Sequence, residues 1–408
     1  MKGYNPNKAI IIIIILLLSL SKLSLPSKTH CILPAQTSCH GNLHTYSDFS
    51  SAFSSISVSN ISSIYASDMD GDDDMDLSIS DGELGKIYYY ENTGSATAPN
   101  FVEKTGWYNP FQNISFGSNS HPYITLLDVD SDGDDDVVIS HSSTLYDLYY
   151  GKNVGSATQP SFQNFTYNSE NPFLSLHFKI DRPKARPHDI DGDGDLDMAV
   201  AGLLGQVYWY EKTSSSTFSS RQNLTSSDFH STTQGNMALD FSDIDGDGDE
   251  DMMVFEALQE NISFYEAVLK ATLCYEKNPD PLLNPFKSLN NIFAREASIQ
   301  FVDLNGDGKK DILLPKFHDQ VQVFQSSLLS PPLFSERSIH QFNKLPNLVD
   351  VGDFATVAFV DYDKDGDGDF VLGEKNDGKT SGLTLYQNQV YECSFLFLVF
   401  LLFLVFIG

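Results

Sequence analysis

The chain has 408 residues and a formal net charge of −30, from 55 acidic and 25 basic side chains. Six short segments hold 31 of the acids and three lysines, so the remainder is nearly neutral and has no basic stripe to neutralise phosphates. Nucleic acid is therefore not an expected partner, and the acidity points to metal instead.

Lys2 and Lys8 precede residues 9–20, a run of almost pure Ile and Leu. The run is too short to span a bilayer and has the shape of a signal-peptide core, so residues 1–30 are expected to be a leader cleaved between Ser21 and His30. Residues 31–48 read as a linker, in which Cys31 and Cys39 are expected to bridge locally. A zinc site from Cys31, Cys39, His40 and His44 fits no standard spacing. Four cysteines in all suit an exported protein that does not depend on disulfides.

The first acidic segment, DMDGDDDMD, begins at Asp68. Its form, D-x-[DN]-x-D-x-x-x-D, recurs from Asp128, Asp189, Asp243, Asp303 and Asp361, with starts 60, 61, 54, 60 and 58 residues apart. Positions 1, 3, 5 and 9 hold Asp68, Asp70, Asp72 and Asp76 in the first copy, and Asp128, Asp130, Asp132 and Asp136 in the second. The third holds Asp189, Asp191, Asp193 and Asp197; the fourth, Asp243, Asp245, Asp247 and Asp251. The fifth holds Asp303, Asn305, Asp307 and Asp311; the sixth, Asp361, Asp363, Asp365 and Asp369. Oxygen donors at fixed positions suit a hard cation, whereas a merely solvated acidic run needs neither fixed positions nor a regular repeat.

An EF-hand loop would need Glu at position 12 and flanking helices. Here position 12 is Ile79, Ile139, Val200, Val254, Leu314 and Leu372, and position 10 is Leu77, Val137, Met198, Met252, Ile312 and Phe370. Apolar residues at 10 and 12 predict a strand with one buried face. Position 6 is Gly133, Gly194, Gly248, Gly308 and Gly366 in five copies, which permits the positive φ of a chain folding back around an ion; Asp73 takes that place in the first. The fifth loop, with Asn305, Lys309 and Lys310, is expected to be the weakest site.

A turn and an aromatic strand follow, as in KIYYYENTGSATAPNF (86–101), DLYYGKNVGSATQPSF (147–162) and QVYWYEKTSSSTF (206–218). Cys274 lies in an apolar stretch and reads as a core residue. Residues 391–408 form a hydrophobic tail in which Cys393 abuts thirteen apolar residues, 395–407. As a helix they would reach about 20 Å against a hydrocarbon core of about 30 Å. The tail resembles a GPI-attachment signal, with Thr380-Ser381-Gly382 or Asn376-Asp377-Gly378 as small-residue sites, or else a short membrane anchor. Five N-x-[ST] sequons, at Asn60, Asn113, Asn164, Asn223 and Asn261, permit glycosylation at a number close to chance.

A strand–loop–strand cation motif at this spacing, followed by an aromatic strand and N-x-G-S-A-T-x-P-x-F, resembles the FG-GAP and VCBS repeats, the VCBS form more closely. The resemblance implies an all-β fold: a β-propeller over residues 49–390 with six four-stranded blades, or seven, and up to six structural Ca²⁺ ions. With strands A to D in each blade, the cation loop joins A to B. The C–D turns then share its face, and the B–C and D–A connections lie opposite. The sixth repeat lacks a D strand, which residues 49–58 are expected to supply, closing the ring and removing open edges. Pro183 and Pro187 fall where the third inner strand should run, which suits such a strand poorly.

No G-x-S-x-G, H-E-x-x-H, glycine-rich phosphate loop or paired C-x-x-C is present. His188 beside the third loop reads as a surface histidine rather than a base. The expected function is recognition of an extracellular protein or glycan by a secreted or surface-attached module, with Trp107, Tyr108 and Phe111 in a D–A connection as candidate contacts. The alternatives are an extracellular enzyme acting on polysaccharide or glycolipid, and a scaffold pairing with another subunit.

Overall fold

The computed structural model describes residues 43–391 apart from 49, 54–55, 143–147, 165, 167–168, 170, 175–182, 202–206, 215–216, 222–236, 257–260, 270–272, 278–283, 288, 290–298, 305–308, 315–321, 327–333, 338–355, 365–367 and 375–381. The leader, the Cys31–Cys39 bridge, Cys393 and the apolar tail lie outside the described residues, as do Asn305, Asp307, Asp365 and both proposed GPI sites up to Ser381.

The first strand is β1 (Leu43–Asp48). Blade one follows as β2 (Ile61–Ser67), β3 (Asp76–Asp81), β4 (Lys86–Asn92) and β5 (Phe101–Lys104). Blade two is β6 (Tyr123–Leu127), β7 (Asp136–Ser140), β8 (Tyr149–Asn153) and β9 (Phe162–Asn164). Blade three is β10 (Lys184–His188), β11 (Asp197–Ala201), β12 (Val207–Ser214) and β13 (Thr217–Arg221). Blade four is β14 (Met237–Ser242), β15 (Asp251–Glu256), β16 (Asn261–Leu269) and β17 (Leu273–Lys277). Blade five is β18 (Gln300–Val302), β19 (Asp311–Leu314), β20 (Gln322–Gln325) and β21 (Ser335–Arg337). The sixth set is β22 (Thr356–Val360), β23 (Asp369–Glu374) and β24 (Gly382–Tyr391).

Each blade is an antiparallel meander, giving six four-stranded sheets among the described residues. Successive inner strands touch from β2 through β6, β10 and β14 to β18, and β2 touches β22. β18 reaches β22 where the Phe359 N–H donates to Gln300 Oε1 at 3.3 Å. The sixth sheet is closed from the other end of the chain: β1 pairs with β24 from Leu43↔Tyr391 to Asp48↔Tyr386. The closing strand is thus Leu43–Asp48, not 49–58. That later stretch instead holds a 3₁₀ turn, Ser50–Phe53, which stacks Phe53 on Phe101 at 5.0 Å.

Positions 10 and 12 are buried in every blade. The expectation of one buried face is nevertheless overturned, because β3, β7 and β11 are buried along their whole length. Each second strand is covered on both faces by the adjoining blades. Hence position 11 is also enclosed, as Ser78, Val138, Ala199, Met253 and Val371. Distinct apolar clusters fill the seams, such as Leu126, Val137 and Tyr89 between blades one and two. Fully burying one such side chain contributes about 1.5–3 kcal/mol.

The C–D turns explain the N-x-G-S-A-T-x-P motif. Asn92 Oδ1 accepts from the N–H groups of Gly94 (3.1 Å) and Asn100 (2.9 Å), and Asn153 Oδ1 does the same for Gly155 and Ser161 at 3.0 Å each. A Cβ on Gly94 would lie 2.3 Å from the Ala98 carbonyl oxygen, so the turn closes only around glycine.

Polar side chains tie each inner strand to the next. Ser63 Oγ accepts from the Ile124 N–H at 3.2 Å, Thr125 Oγ1 donates to the Ala185 carbonyl at 3.1 Å, and Arg186 meets Asp240 at 3.4 Å. Asp240 in turn accepts from the Phe301 N–H at 2.6 Å. The Arg186 and Asp240 side chains keep 23% and 16% of their surface open. Pro187 does lie in an inner strand, in register opposite Met198. An inner strand is hydrogen bonded along one side only, so a prolyl nitrogen turned to the axis costs no ladder bond.

Candidate metal centres

The cation loops fold on themselves through position 1. Asp68 accepts from the N–H groups of Gly71 (2.8 Å) and Asp73 (3.0 Å), and Asp243 from those of Gly246 (2.7 Å) and Gly248 (3.1 Å). Asp189 does likewise with Gly192 and Gly194, and Asp128 accepts from the N–H groups of Asp132 (3.1 Å) and Gly133 (3.0 Å). Position 6 takes positive φ: 73° at Asp73, 96° at Gly133, 94° at Gly194 and 100° at Gly248. Position 4 does too, at Gly71, Ser131, Gly192, Gly246 and Lys364. The sequence reading missed that second left-handed residue; its signal was glycine at position 4 in four of the six copies.

Among the described residues three carboxylates converge in each of five loops, with ligand atoms within 4.8 Å of one another: Asp68, Asp70 and Asp72; Asp128, Asp130 and Asp132; Asp189, Asp191 and Asp197; Asp243, Asp245 and Asp251; Asp361, Asp363 and Asp369. Positions 1, 3 and 5 thus meet in the first two loops, and 1, 3 and 9 in the third, fourth and sixth. In the third and fourth loops the position-5 residues Asp193 and Asp247 lie outside the triad and accept from the N–H groups of Asp195 and Asp249. Of the fifth loop, Asp303 and Asp311 are described.

Position 9 is the most enclosed of the four, between 0% and 1% exposed in all six copies. Its carboxylate staples the blade. Asp197 accepts from the Ile190 N–H (3.0 Å) across the loop and from the Lys212 N–H (2.7 Å) on β12; Asp251 does the same for Ile244 and Ala267. A buried carboxylate is tolerable only when its lone pairs are so engaged. Burial still pushes Asp76 and Asp251 up to about 7, and Asp136 and Asp197 up to about 6, against those hydrogen bonds.

A neighbouring residue separates the two kinds of triad. In the first two blades a tyrosine hydroxyl donates to position 9, Tyr89 to Asp76 at 2.7 Å and Tyr150 to Asp136 at 2.9 Å. The same register holds Trp209 in blade three and Phe264 in blade four, which have no hydroxyl. There position 9 joins the triad.

The donors fit a hard cation. Position 7, overlooked in the sequence, places Asp74 Oδ1 and Asp134 Oδ1 buried without a hydrogen-bond partner, and Asp130 Oδ1 shares that state. Burial raises Asp74 to about 6, with Asp72, Asp70 and Asp68 adding to the rise. At the first loop a divalent ion would neutralise this charge and engage Asp74 Oδ1.

Two other expectations change. His188 is buried and stacked on Phe241 with ring centroids 3.8 Å apart, its Nδ1 3.1 Å from Glu250, so it is neither a surface residue nor an open base. Burial holds it down at about 4. Among the aromatic candidates, Phe111 is core and stacks on Phe162 at 5.1 Å, while Trp107 and Tyr108 are 91% and 78% exposed. Those two sit on a 3₁₀ turn, Gly106–Tyr108. Asn109 anchors the turn to the Ile87 carbonyl at 3.2 Å, at the end of the blade opposite the cation loops. Of the sequons, Asn60 is buried at 5%, while Asn113 and Asn164 are exposed.

Comparison with known proteins agrees on the repeat. A family model described as an FG-GAP-like repeat matches residues 189–254, the third cation loop through β15. No curated relative matches the chain. Among solved structures, a lectin from Agrocybe aegerita, described as recognising non-reducing terminal N-acetylglucosamine, is 16% identical, with 80% of this chain and 79% of that one covered at a TM-score of 0.45. The Aleuria aurantia lectin, described as a six-bladed β-propeller with a fucose recognition mode, is 9% identical (79% and 93% covered, TM-score 0.45). The protein AofleA of Arthrobotrys oligospora is 8% identical (88% and 89% covered, TM-score 0.45).

Proposed function

Because the chain is an FG-GAP/VCBS-type β-propeller, we propose that it is a calcium-stabilised recognition module, exported from the cell, that binds a protein or glycan ligand through the face opposite its cation loops. The observation that carries the recognition reading is the Trp107–Tyr108 pair. Two large rings, 91% and 78% exposed, are held on an anchored turn beside the packed Phe111. Exposing such rings forfeits their burial energy, and rings that lose little freedom on contact are effective anchors for a partner or for a sugar face. The acidic triads support the calcium part: hard oxygen donors, unpartnered buried oxygens and a repeated register. The ions are structural and number up to six. Each would screen self-repulsion and fix the A–B connection.

Export rests on the basic residues and apolar run at the N-terminal end; attachment to a membrane rests on the apolar C-terminal tail. Treating intact cells with phosphatidylinositol-specific phospholipase separates the anchors. Release supports a GPI anchor, retention supports an embedded tail, and cytosolic recovery with the leader intact would defeat export. Screening the full-length protein on a glycan array and against extracellular protein fractions tests the recognition reading. Trp107→Ala with Tyr108→Ala is expected to abolish any hit without changing the melting temperature. Hits unaffected by the double variant would remove this face from the reading.

A further inference from the structure

Judged by composition, the second loop should be among the strongest cation sites, since DVDSDGDDD carries six acids, as many as any other copy. Its surroundings differ from those of the other loops. Lys152 on β8 places its Nζ on Asp130 Oδ2 and 3.4 Å from Asp132 Oδ2, the position-3 and position-5 donors. A second ammonium arrives from the adjoining blade: Lys212 on β12 donates to the Asp128 carbonyl at 3.3 Å and to Ser131 Oγ at 2.9 Å. Lys152 is 27% exposed, so its charge is held against the loop rather than trailing in solvent.

The register shows that this position is set blade by blade. Position 10 pairs with Tyr90, Gly151, Tyr210, Tyr265, Phe324 and Tyr386. The residue after each is Glu91, Lys152, Glu211, Glu266, Gln325 and Gln387. In the first and fourth blades the glutamate adds negative charge beside the position-3 aspartate, Glu91 at Asp70 and Glu266 at Asp245. In the second blade alone a cation stands there.

We infer that Lys152 is a built-in counter-ion that takes the place of a divalent cation at the second loop, so that this loop is held by lysine while the first, third and fourth are held by metal. An ammonium on two of three converging carboxylates both offsets part of the charge that would attract calcium and occupies two of its ligands. The inference rests on the calcium reading above. It adds the second loop to the weak class in which composition already places the fifth, and it makes the joint between blades two and three independent of calcium.

Calcium titration of the full-length protein, by calorimetry with ion counting in native mass spectrometry, tests it. Lys152→Gln and Lys152→Glu are each expected to bind one more calcium ion than the unaltered chain, the Glu variant more tightly. Lys86→Gln, which removes one exposed lysine at the far end of blade one, is expected to add none and so controls for net charge. In chelator, Lys152→Gln is expected to melt at a lower temperature than the unaltered chain, and excess calcium is expected to remove that difference. A variant that folds only when calcium is present would support the inference equally. Equal ion counts and affinities in the Lys152 variants and the unaltered chain would overturn the role of Lys152 while leaving the calcium reading intact. Absence of binding in all of them would overturn both.

Discussion

Position 9 acts as a structural acid as well as a candidate ligand, and the two roles can be separated by substitution. Asp197 accepts one N–H on each carboxylate oxygen, so Asp197→Asn would turn an amide donor toward a backbone donor. Leaving such a buried group unsatisfied costs about 1–3 kcal/mol. We expect that loss in denaturant unfolding both with calcium and in chelator, whereas Asp70→Asn, at a position-3 donor whose bond from the Asp72 N–H (3.3 Å) an amide oxygen can keep, should change stability little in chelator. A second residue-scale expectation concerns His188, which burial holds at about 4, well below its ordinary value. A depressed histidine binds its proton in the unfolded chain first. The stability it contributes is therefore present above about pH 6.5 and is lost as pH falls toward 4. A calcium ion on the adjacent Asp189 would depress the histidine further, so the direction holds with or without metal. The ring resonances should titrate near pH 4, and His188→Phe, which keeps a ring against Phe241, should flatten the slope of melting temperature against pH between 6.5 and 4. A midpoint near 6.5 would contradict the burial.

At the scale of elements, the repeat made most of the architecture legible: apolar positions 10 and 12 marked each second strand, and the missing fourth strand of the last repeat announced a closure from the other end. The misreadings have physical causes. The closing strand lies at Leu43–Asp48 because pairing with β24 is selected by backbone edges and ring geometry, which leave no mark in a sequence as polar as LHTYSD. One-faced burial failed because alternation describes a half-exposed sheet, and a propeller strand has a neighbour on both faces. The role of Lys152 was hidden because the residues it meets are 22 and 20 positions away, in the loop between β6 and β7. Closure also bears on anchoring. β24 pairs with β23 along one side and β1 along the other, so cleavage at Asn376-Asp377-Gly378 or Thr380-Ser381-Gly382 would remove the strand that joins the two ends. A chain ending at Ser381, or one beginning at Phe49, is expected to expose a free sheet edge, to aggregate in size-exclusion chromatography and to lose its cooperative melt. A monomeric, cooperatively melting Ser381 truncation would show that the last blade tolerates the loss.

For the whole molecule, the six acidic loops carry nearly all of the net charge of −30, and contacts across the seams join neighbouring loops among the described residues. Thr158 of the second blade's C–D turn packs against Gly71 of the first blade's loop. Lys364 of the sixth loop reaches Asp73 of the first at 3.3 Å, an exposed pair that contributes little by itself. Neighbouring loops thus share a repulsive field, which bound cations would relieve together. Because the triads are assembled by folding, binding is linked to stability: a site held at one hundred times its dissociation constant adds about 2.7 kcal/mol, and several sites add in concert. We expect the melting temperature of the full-length protein to fall steeply in excess EDTA, to recover on return of calcium, and to rise again in part when salt is added to the chelated form, since screening substitutes for counter-ions. Magnesium should restore less than calcium, because the smaller ion demands near-ideal octahedral geometry and gives up its waters reluctantly. A melt unchanged by EDTA would mean that lysines such as Lys152 and the position-9 staples hold the ring by themselves, and the acidic loops would then need a role other than binding cations.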